Sequence, residues 1–477
     1  MKSNTMICLL VVFAHVTTKA SAFTRPTDNT ITHQPLLTSS PSPASTSRTT
    51  SRTTSTTTSR TTAVQSAVDR GYDTPINISE LAPRDIPTFE EWSYNYGIQR
   101  HASHQLTYSE DGWDVYAMTC DAIPGGTPVL CVPQELILSA NKAMEEFPKE
   151  SMRAAEKIVY SVNADSEIRY WYLMVKLLVE LEKGEQSAWF PWLNSLPRYY
   201  TNAASMTPFC CLCLPSLMRK LAVKERGNMS RLSVSSIKLI PFLNDDTKYD
   251  TDLVNWVYQI VYTRAVESPD GDMKIVPMGD MFNHAGEYPE IEPSYDEEGN
   301  YYAYTSYDIP PNSPLRISYG DPTNPSFLFA RYGFLDDTTP ATFCKLIPPH
   351  INKDMEELGY SQNRMLFYRT GDVSDEVWDI LLYQHLSSTK IGDKRMLMTS
   401  HREGDYQTKQ MLHEKYYGET SRLLLEHIEE FLAQLDKLSG KVEGRSVEEH
   451  PRLPLILKHN QFVRDTFLTV RNRYFGY

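Results

Sequence analysis

The sequence predicts an α+β fold in which strand-rich segments are split by a long helical insertion and followed by a helical tail. Three patterns carry that expectation. Between Tyr94 and Leu138, short apolar runs such as Val115-Tyr-Ala-Met118 and Pro128-Val-Leu-Cys-Val132 flank the turn residues Pro124-Gly-Gly126. From Asn141 to about Lys224 the apolar spacing becomes helical, with Ile168, Trp171, Tyr172, Val175, Leu178 and Leu181 in register. After Ala341 the chain turns helical again, and Leu424, Ile428, Phe431, Leu432, Leu435 and Leu438 form one apolar stripe.

The N-terminus reads as an address. Lys2 precedes the apolar run Met6–Ala14, and Ala20-Ser-Ala22 supplies small residues at cleavage positions, so residues 1–22 read as a signal peptide. Residues 23–70 are rich in Ser, Thr and Arg and cannot build a core. Phe23 after Ala20-Ser-Ala22, with that leader behind it, resembles the bipartite plastid-targeting sequences of algae with secondary plastids. The alternative is a secreted protein with an O-glycosylated stalk, for which Asn77-Ile-Ser79 and Asn228-Met-Ser230 supply formal sequons.

The folded body is expected from near Pro87. A β-rich domain over 88–338 is interrupted by helices at about 141–250, and Trp189-Phe-Pro-Trp-Leu-Asn-Ser-Leu-Pro197 breaks the helical run. Strands return near 273–277 and 314–319. A helix follows, with Asn324 as N-cap, Pro325 at its first position and Gly333 as its stop. The tail spans 341–477.

Composition narrows the chemistry. The 477-residue chain carries a net charge of −13, and residues 1–70 hold seven Lys/Arg against two Asp, so the remainder carries about −18. Such a body binds nucleic acid poorly and basic peptides better. No apolar run reaches membrane-spanning length. Seven cysteines are too few and too irregular for a disulfide scaffold, and Cys210-Cys-Leu-Cys213 reads as a buried helical cluster, so no metal site is expected. The acidic stretch Glu287 to Glu298 reads as a solvated loop.

Two islands carry the functional signal: Pro277-Met-Gly-Asp-Met-Phe-Asn-His284, and Arg316-Ile-Ser-Tyr-Gly320 followed by Asn324-Pro-Ser-Phe-Leu-Phe-Ala-Arg-Tyr-Gly-Phe334. Together they resemble the core of a SET-domain methyltransferase of the Rubisco large-subunit lysine methyltransferase-like branch. Leu177 to Gly184 with Trp189 to Pro197 resembles that branch's insertion, and the resemblance spans about 88–440. It implies a SET-type β-fold split by a helical insertion, an α-helical C-terminal substrate-binding domain, and S-adenosyl-L-methionine as methyl donor. By the same resemblance Tyr319 is the catalytic tyrosine and Tyr332 the second tyrosine of the site. Asn283 binds the amino group of the cofactor's methionine part, the backbone at His284 meets the adenine, and Asp280 orients the segment. Arg264 pairs with the cofactor carboxylate, a task suited to a guanidinium. Val266 falls where the family lines its substrate channel, and Asp111, Gly112 and Trp113 stand for its N-terminal cofactor turn.

The implied activity is methylation of a lysine in a non-histone, plastid protein, since the zinc-binding cysteine tail of histone-type SET proteins is missing. The Rubisco large subunit and a plastid aldolase are the candidate substrates by analogy. Histidine methylation, and a SET-fold binding module that has lost catalysis, stand as alternatives.

Overall fold

Where the N-terminal strands were expected to begin, the chain first makes a helix, Ile86–Asn95. The carboxylate of Asp85 accepts from the Thr88 amide at 3.2 Å and Pro87 sits in the first turn, while Phe89 and Trp92 point into the core. The folded body starts earlier too, since Ile76 is already buried. The structure, a computed structural model, describes residues 76–476 apart from 111, 162–164, 231, 233–234, 287, 321–324, 337–340, 344–350 and 362–363. The leader segments 1–22 and 23–70 and the expected cap Asn324 lie outside the described residues.

Several small sheets form the β portion. A four-stranded antiparallel sheet runs in the order Gln99–Arg100, Pro128–Val132, Tyr301–Thr305, Ile291–Tyr295. Pro128–Val132 lies inside that sheet, which explains its nearly unbroken apolar run. His104–Tyr108 and Val115–Thr119 form a hairpin whose alternation buries Val115, Ala117 and Thr119. The acidic stretch is a correction to the loop expectation. Ile291–Tyr295 is the edge strand of the larger sheet, and buried Glu290 receives Arg316 Nε at 3.0 Å and Nη2 at 2.5 Å. An edge strand with charges toward solvent reads like a loop in sequence, because the edge itself selects for charge.

The helical insertion leaves at Ser139 and returns at Val266. Both ends meet in one sheet, where Met273–Ile275 pairs with Leu138–Ser139 on one side and Val266–Glu267 on the other. Asp272 fastens the junction by accepting from Ser139 Oγ at 2.5 Å and the Asn141 amide at 3.0 Å. The helical stretch extends past 250, because Asp250 caps a further helix, Thr251–Arg264, accepting from the amides of Asp252 and Leu253 at 3.0 Å. Ile168–Glu182 packs on that helix and is apolar on most of its faces, as a buried helix must be.

Residues 73–477 form one compact unit. The sheets and the insertion share one apolar core, and the tail builds another in which every member of the 424–438 stripe is buried on the helix Tyr417–Val442. A third cluster joins three regions. Cys210, Cys211 and Cys213 pack with Phe329 and Ala330 and with Leu453 and Ile456 of the helix Leu453–Phe475. Among the described residues, no helix is long and apolar enough to cross a membrane.

Candidate active site

The two islands meet through a short parallel pairing. Asn283–His284 lies beside Arg316–Ile317, with Arg316 facing Asn283 and Ile317 facing His284, and the Ala285 amide donates to the Ile317 carbonyl at 2.9 Å. The strand expected through Tyr319 stops at Ile317. Freed from the ladder, the Tyr319 amide donates to His284 Nδ1 at 3.1 Å and its hydroxyl donates to the Phe282 carbonyl at 2.7 Å. His284 thereby takes the neutral tautomer with its proton on Nε2, and burial pulls its pKa down. Burial pushes the Tyr319 phenol up, so this hydroxyl stays protonated and serves as a hydrogen-bonding group, not a base.

Tyr332 ends the helix Pro325–Tyr332, and its ring centroid lies 4.7 Å from that of Tyr319. Gly333 terminates the helix at φ +78°, and a Cβ there would sit 2.3 Å from the Asn202 nitrogen, so no other residue fits. The 199–202 segment clasps this turn. Thr201 Oγ1 donates to the Gly333 carbonyl at 2.6 Å and Asn202 Nδ2 to the Arg331 carbonyl at 3.0 Å.

The helix Thr251–Arg264 delivers the charged end, with Arg264 in its last turn where the helix dipole favours a cation. Arg264 Nη1 donates at 2.8 Å to both the Asp280 carbonyl and its Oδ2, which also accepts from Trp192 Nε1 at 3.1 Å. Met278, at φ +72°, starts the tight turn that carries Asp280, a strained conformation of the kind that collects at functional sites. Several buried polar atoms here have no partner among the described residues: Arg264 Nε, Asp280 Oδ1, Arg84 Nη1 and the Tyr200 hydroxyl, which lies beside Arg264 without a well-aligned bond. Arg84 donates through Nε to the Ser195 carbonyl at 2.6 Å, and burial followed by the Arg264 charge pushes its pKa down to about 10. Asn283 Nδ2 donates to Asp114 Oδ2 at 2.8 Å.

These groups border a cavity of about 530 Å³. Of the residues singled out from sequence, Trp113, Arg264, Asp280, Asn283, His284, Tyr319 and Tyr332 line it. Gly112 does not, since it sits in the exposed turn before the strand Val115–Thr119. Val266 does not either: its two-residue strand leaves the side chain 41 % exposed. Asp111 lies outside the described residues. Sequence reasoning missed Asp114, Tyr199 and Tyr200 on the wall and Arg84 behind it. The only local sign for Arg84 is a cation just before a helix N-terminus, where the dipole disfavours it.

Chemically, the cavity wall combines one cation, Arg264, two carboxylates, an amide and a pair of facing tyrosines, with a second buried cation, Arg84, behind it. One end suits a zwitterionic amino-acid group and the other a planar or alkyl amine.

Comparison with known proteins identifies the fold. No family model matches the chain. A 187-residue stretch is 26% identical to human "SET domain-containing protein 4", covering 34% of this chain and 41% of that protein, so the chain spans less than half of that relative's length. Among solved structures, the SET domain of LSMT bound to lysine and AdoHcy superposes with a TM-score of 0.58 at 14% identity, covering 83% of this chain and 92% of that one. Rubisco LSMT bound to AdoMet gives 0.58 at 15% identity with the same coverage. The chain therefore has the SET fold in its LSMT-like form, α+β with a helical C-terminal region.

Proposed function

We propose that this protein is an S-adenosylmethionine-dependent methyltransferase acting on a lysine side chain of a protein. The observation that carries the reading is the shared cavity, lined by Arg264, whose Nε has no partner among the described residues, and by the Tyr319–Tyr332 pair. The residues fit the cofactor: Arg264, with Arg84 behind it, would hold its carboxylate, and Asp280 Oδ1, Asp114 and the Asn283 side-chain oxygen would accept from its ammonium. When bound, S-adenosylmethionine supplies an electrophilic methyl on a positive sulfonium. Everything else is positioning. The Tyr319 hydroxyl orients the attacking amine, and the burial that keeps it protonated prevents it from taking the amine's proton. A lysine with a free pKa near 10.4 must arrive neutral. A partly buried site beside the Arg264 cation favours that form.

Lysine is preferred over histidine because Tyr332 is retained at van der Waals distance from Tyr319; exposed Val266 no longer contributes to that argument. Similarity to LSMT structures bound to lysine and to monomethyllysine supports the same choice. The leader composition supports a plastid destination, with the Rubisco large subunit or a plastid aldolase as candidate substrates by analogy. Incubating the protein with plastid extract and labelled cofactor, then locating the label by mass spectrometry, tests the reaction. Label on a lysine Nζ is expected; label on histidine, or none, would overturn the assignment. A fluorescent protein behind residues 1–70 should reach the plastid, whereas its secretion would defeat that destination.

A further inference from the structure

The C-terminal helix Leu453–Phe475 begins at a buried arginine whose contacts run to the cavity wall. Arg452 is the N-cap residue of that helix, and its side chain is only 9 % exposed. Its guanidinium carbon lies 4.5 Å from the ring centre of Tyr199, which in turn meets Trp113 in a tilted contact, centroids 5.0 Å apart; both rings line the cavity. Tyr199 returns a hydrogen bond from its hydroxyl to the Pro451 carbonyl at 3.1 Å. Arg452 Nε donates to the Tyr200 carbonyl at 2.9 Å, and both terminal nitrogens bond the Glu80 carboxylate, one of them at 3.3 Å.

We propose that Arg452 is a positioning residue for the small-molecule end of the cavity, which makes the C-terminal helix a working part of that site; this inference rests on the cofactor reading above. The segment 199–202 is what it positions. At one end Arg452 fixes Tyr199 and the Tyr200 carbonyl. At the other, Thr201 and Asn202 hold the carbonyls of Gly333 and Arg331 on either side of Tyr332. Between them the Tyr200 hydroxyl, with no well-aligned bond among the described residues, faces Arg264. Only a guanidinium can stack on a ring, donate sideways to a carbonyl and grip a carboxylate through two nitrogens at once. Lysine could keep the charge near Tyr199 but not the three bonds.

Calorimetry with S-adenosylhomocysteine on the full chain tests this, with melting curves run alongside. Arg452→Ala should weaken binding about tenfold, the scale on which groups behind a binding site act, and Arg452→Lys should recover part of the loss. Phe467→Leu, buried in the tail core far from the 199–202 contacts, serves as the stability control: it should lower the melting temperature with unchanged affinity. Should Arg452→Ala fail to fold, Glu80→Gln decides, since it releases one anchor of the guanidinium and should weaken binding about threefold. Equal affinity in Arg452→Ala and the native protein, or in Glu80→Gln where only that variant folds, would overturn the inference alone. Absence of binding by the native protein would overturn the cofactor reading and the inference with it.

Discussion

The two ends of the cavity differ in how completely their polar atoms are satisfied. At the aromatic end, the Tyr319 hydroxyl is bonded to Phe282 and its amide to His284, and the Tyr332 turn is clasped by Thr201 and Asn202. At the charged end, Arg84, Arg264, Asp280 and Tyr200 each keep a buried polar atom without a partner among the described residues, whereas at the aromatic end only His284 Nε2 does. Buried groups are rarely left in that state, so the charged end is built to be completed by a ligand. The aromatic end is already rigid, as a surface that orients a reacting group must be. Substitutions at the charged end should therefore change affinity, and substitutions at the aromatic end should change turnover.

The sharpest contrast is expected from Arg264→Ala, which strands the buried carboxylate of Asp280. Cofactor affinity measured by calorimetry should fall by at least about 3 kcal/mol, the scale for losing hydrogen bonds to a charged partner, and the stranded Asp280 should separately lower the protein's stability. A loss confined to turnover would erase the distinction between the ends. Next in size, Tyr319→Phe should cut turnover about a hundredfold, near 3 kcal/mol of transition-state stabilisation, with affinity nearly intact. Asn283→Ala should cost roughly 2 kcal/mol of cofactor binding by leaving Asp114 without its donor and removing an acceptor. Unchanged binding in that variant would take the amide out of the receptor.

The smallest effect concerns the support beneath Tyr319. His104 packs edge-on against Phe282 at 6.1 Å, with both ring nitrogens unbonded among the described residues, and burial followed by the nearby Arg100 charge pushes its pKa down to about 3. Because the unfolded chain binds that proton near pH 6.5, the stability held by neutral His104 is complete above pH 6.5 and drains as pH falls toward 3. At pH 5.5 the loss should be about 1 kcal/mol, and His104→Leu should flatten that part of a denaturant-derived stability profile. An identical acid slope in the variant would assign the sensitivity elsewhere.

Much of this site was legible in sequence where the chemistry is concentrated in one stretch. Asp280, Asn283 and His284 lie within one turn and strand, and the Tyr332 helix announces itself by Pro325 and Gly333. The 424–438 stripe was equally plain, since an amphipathic helix writes its buried face at fixed spacing. Arg84, Asp114, Tyr199 and Tyr200 were not legible, because each is a single residue whose place depends on how distant segments converge. Val266 falls outside this cavity for a related reason: its place is set by a two-residue strand whose register comes from the partner Lys274, not by local pattern. At Gly112 the turn was recognised, but the wall begins one residue later, as the chain leaves the exposed turn for the strand Val115–Thr119. Arg452 is the extreme case, meeting Tyr200 across 252 residues of chain.

The central claim is that one cavity binds the methyl donor at its charged end and orients the amine at Tyr319. A single-turnover measurement of labelled methyl transfer to protein, comparing the native chain with Tyr319→Phe across a range of cofactor concentrations, tests both halves together. The account predicts half-saturation at nearly the same cofactor concentration in both proteins and a maximal rate about a hundredfold lower in the variant. A variant that transfers methyl within a few-fold of the native rate would contradict it.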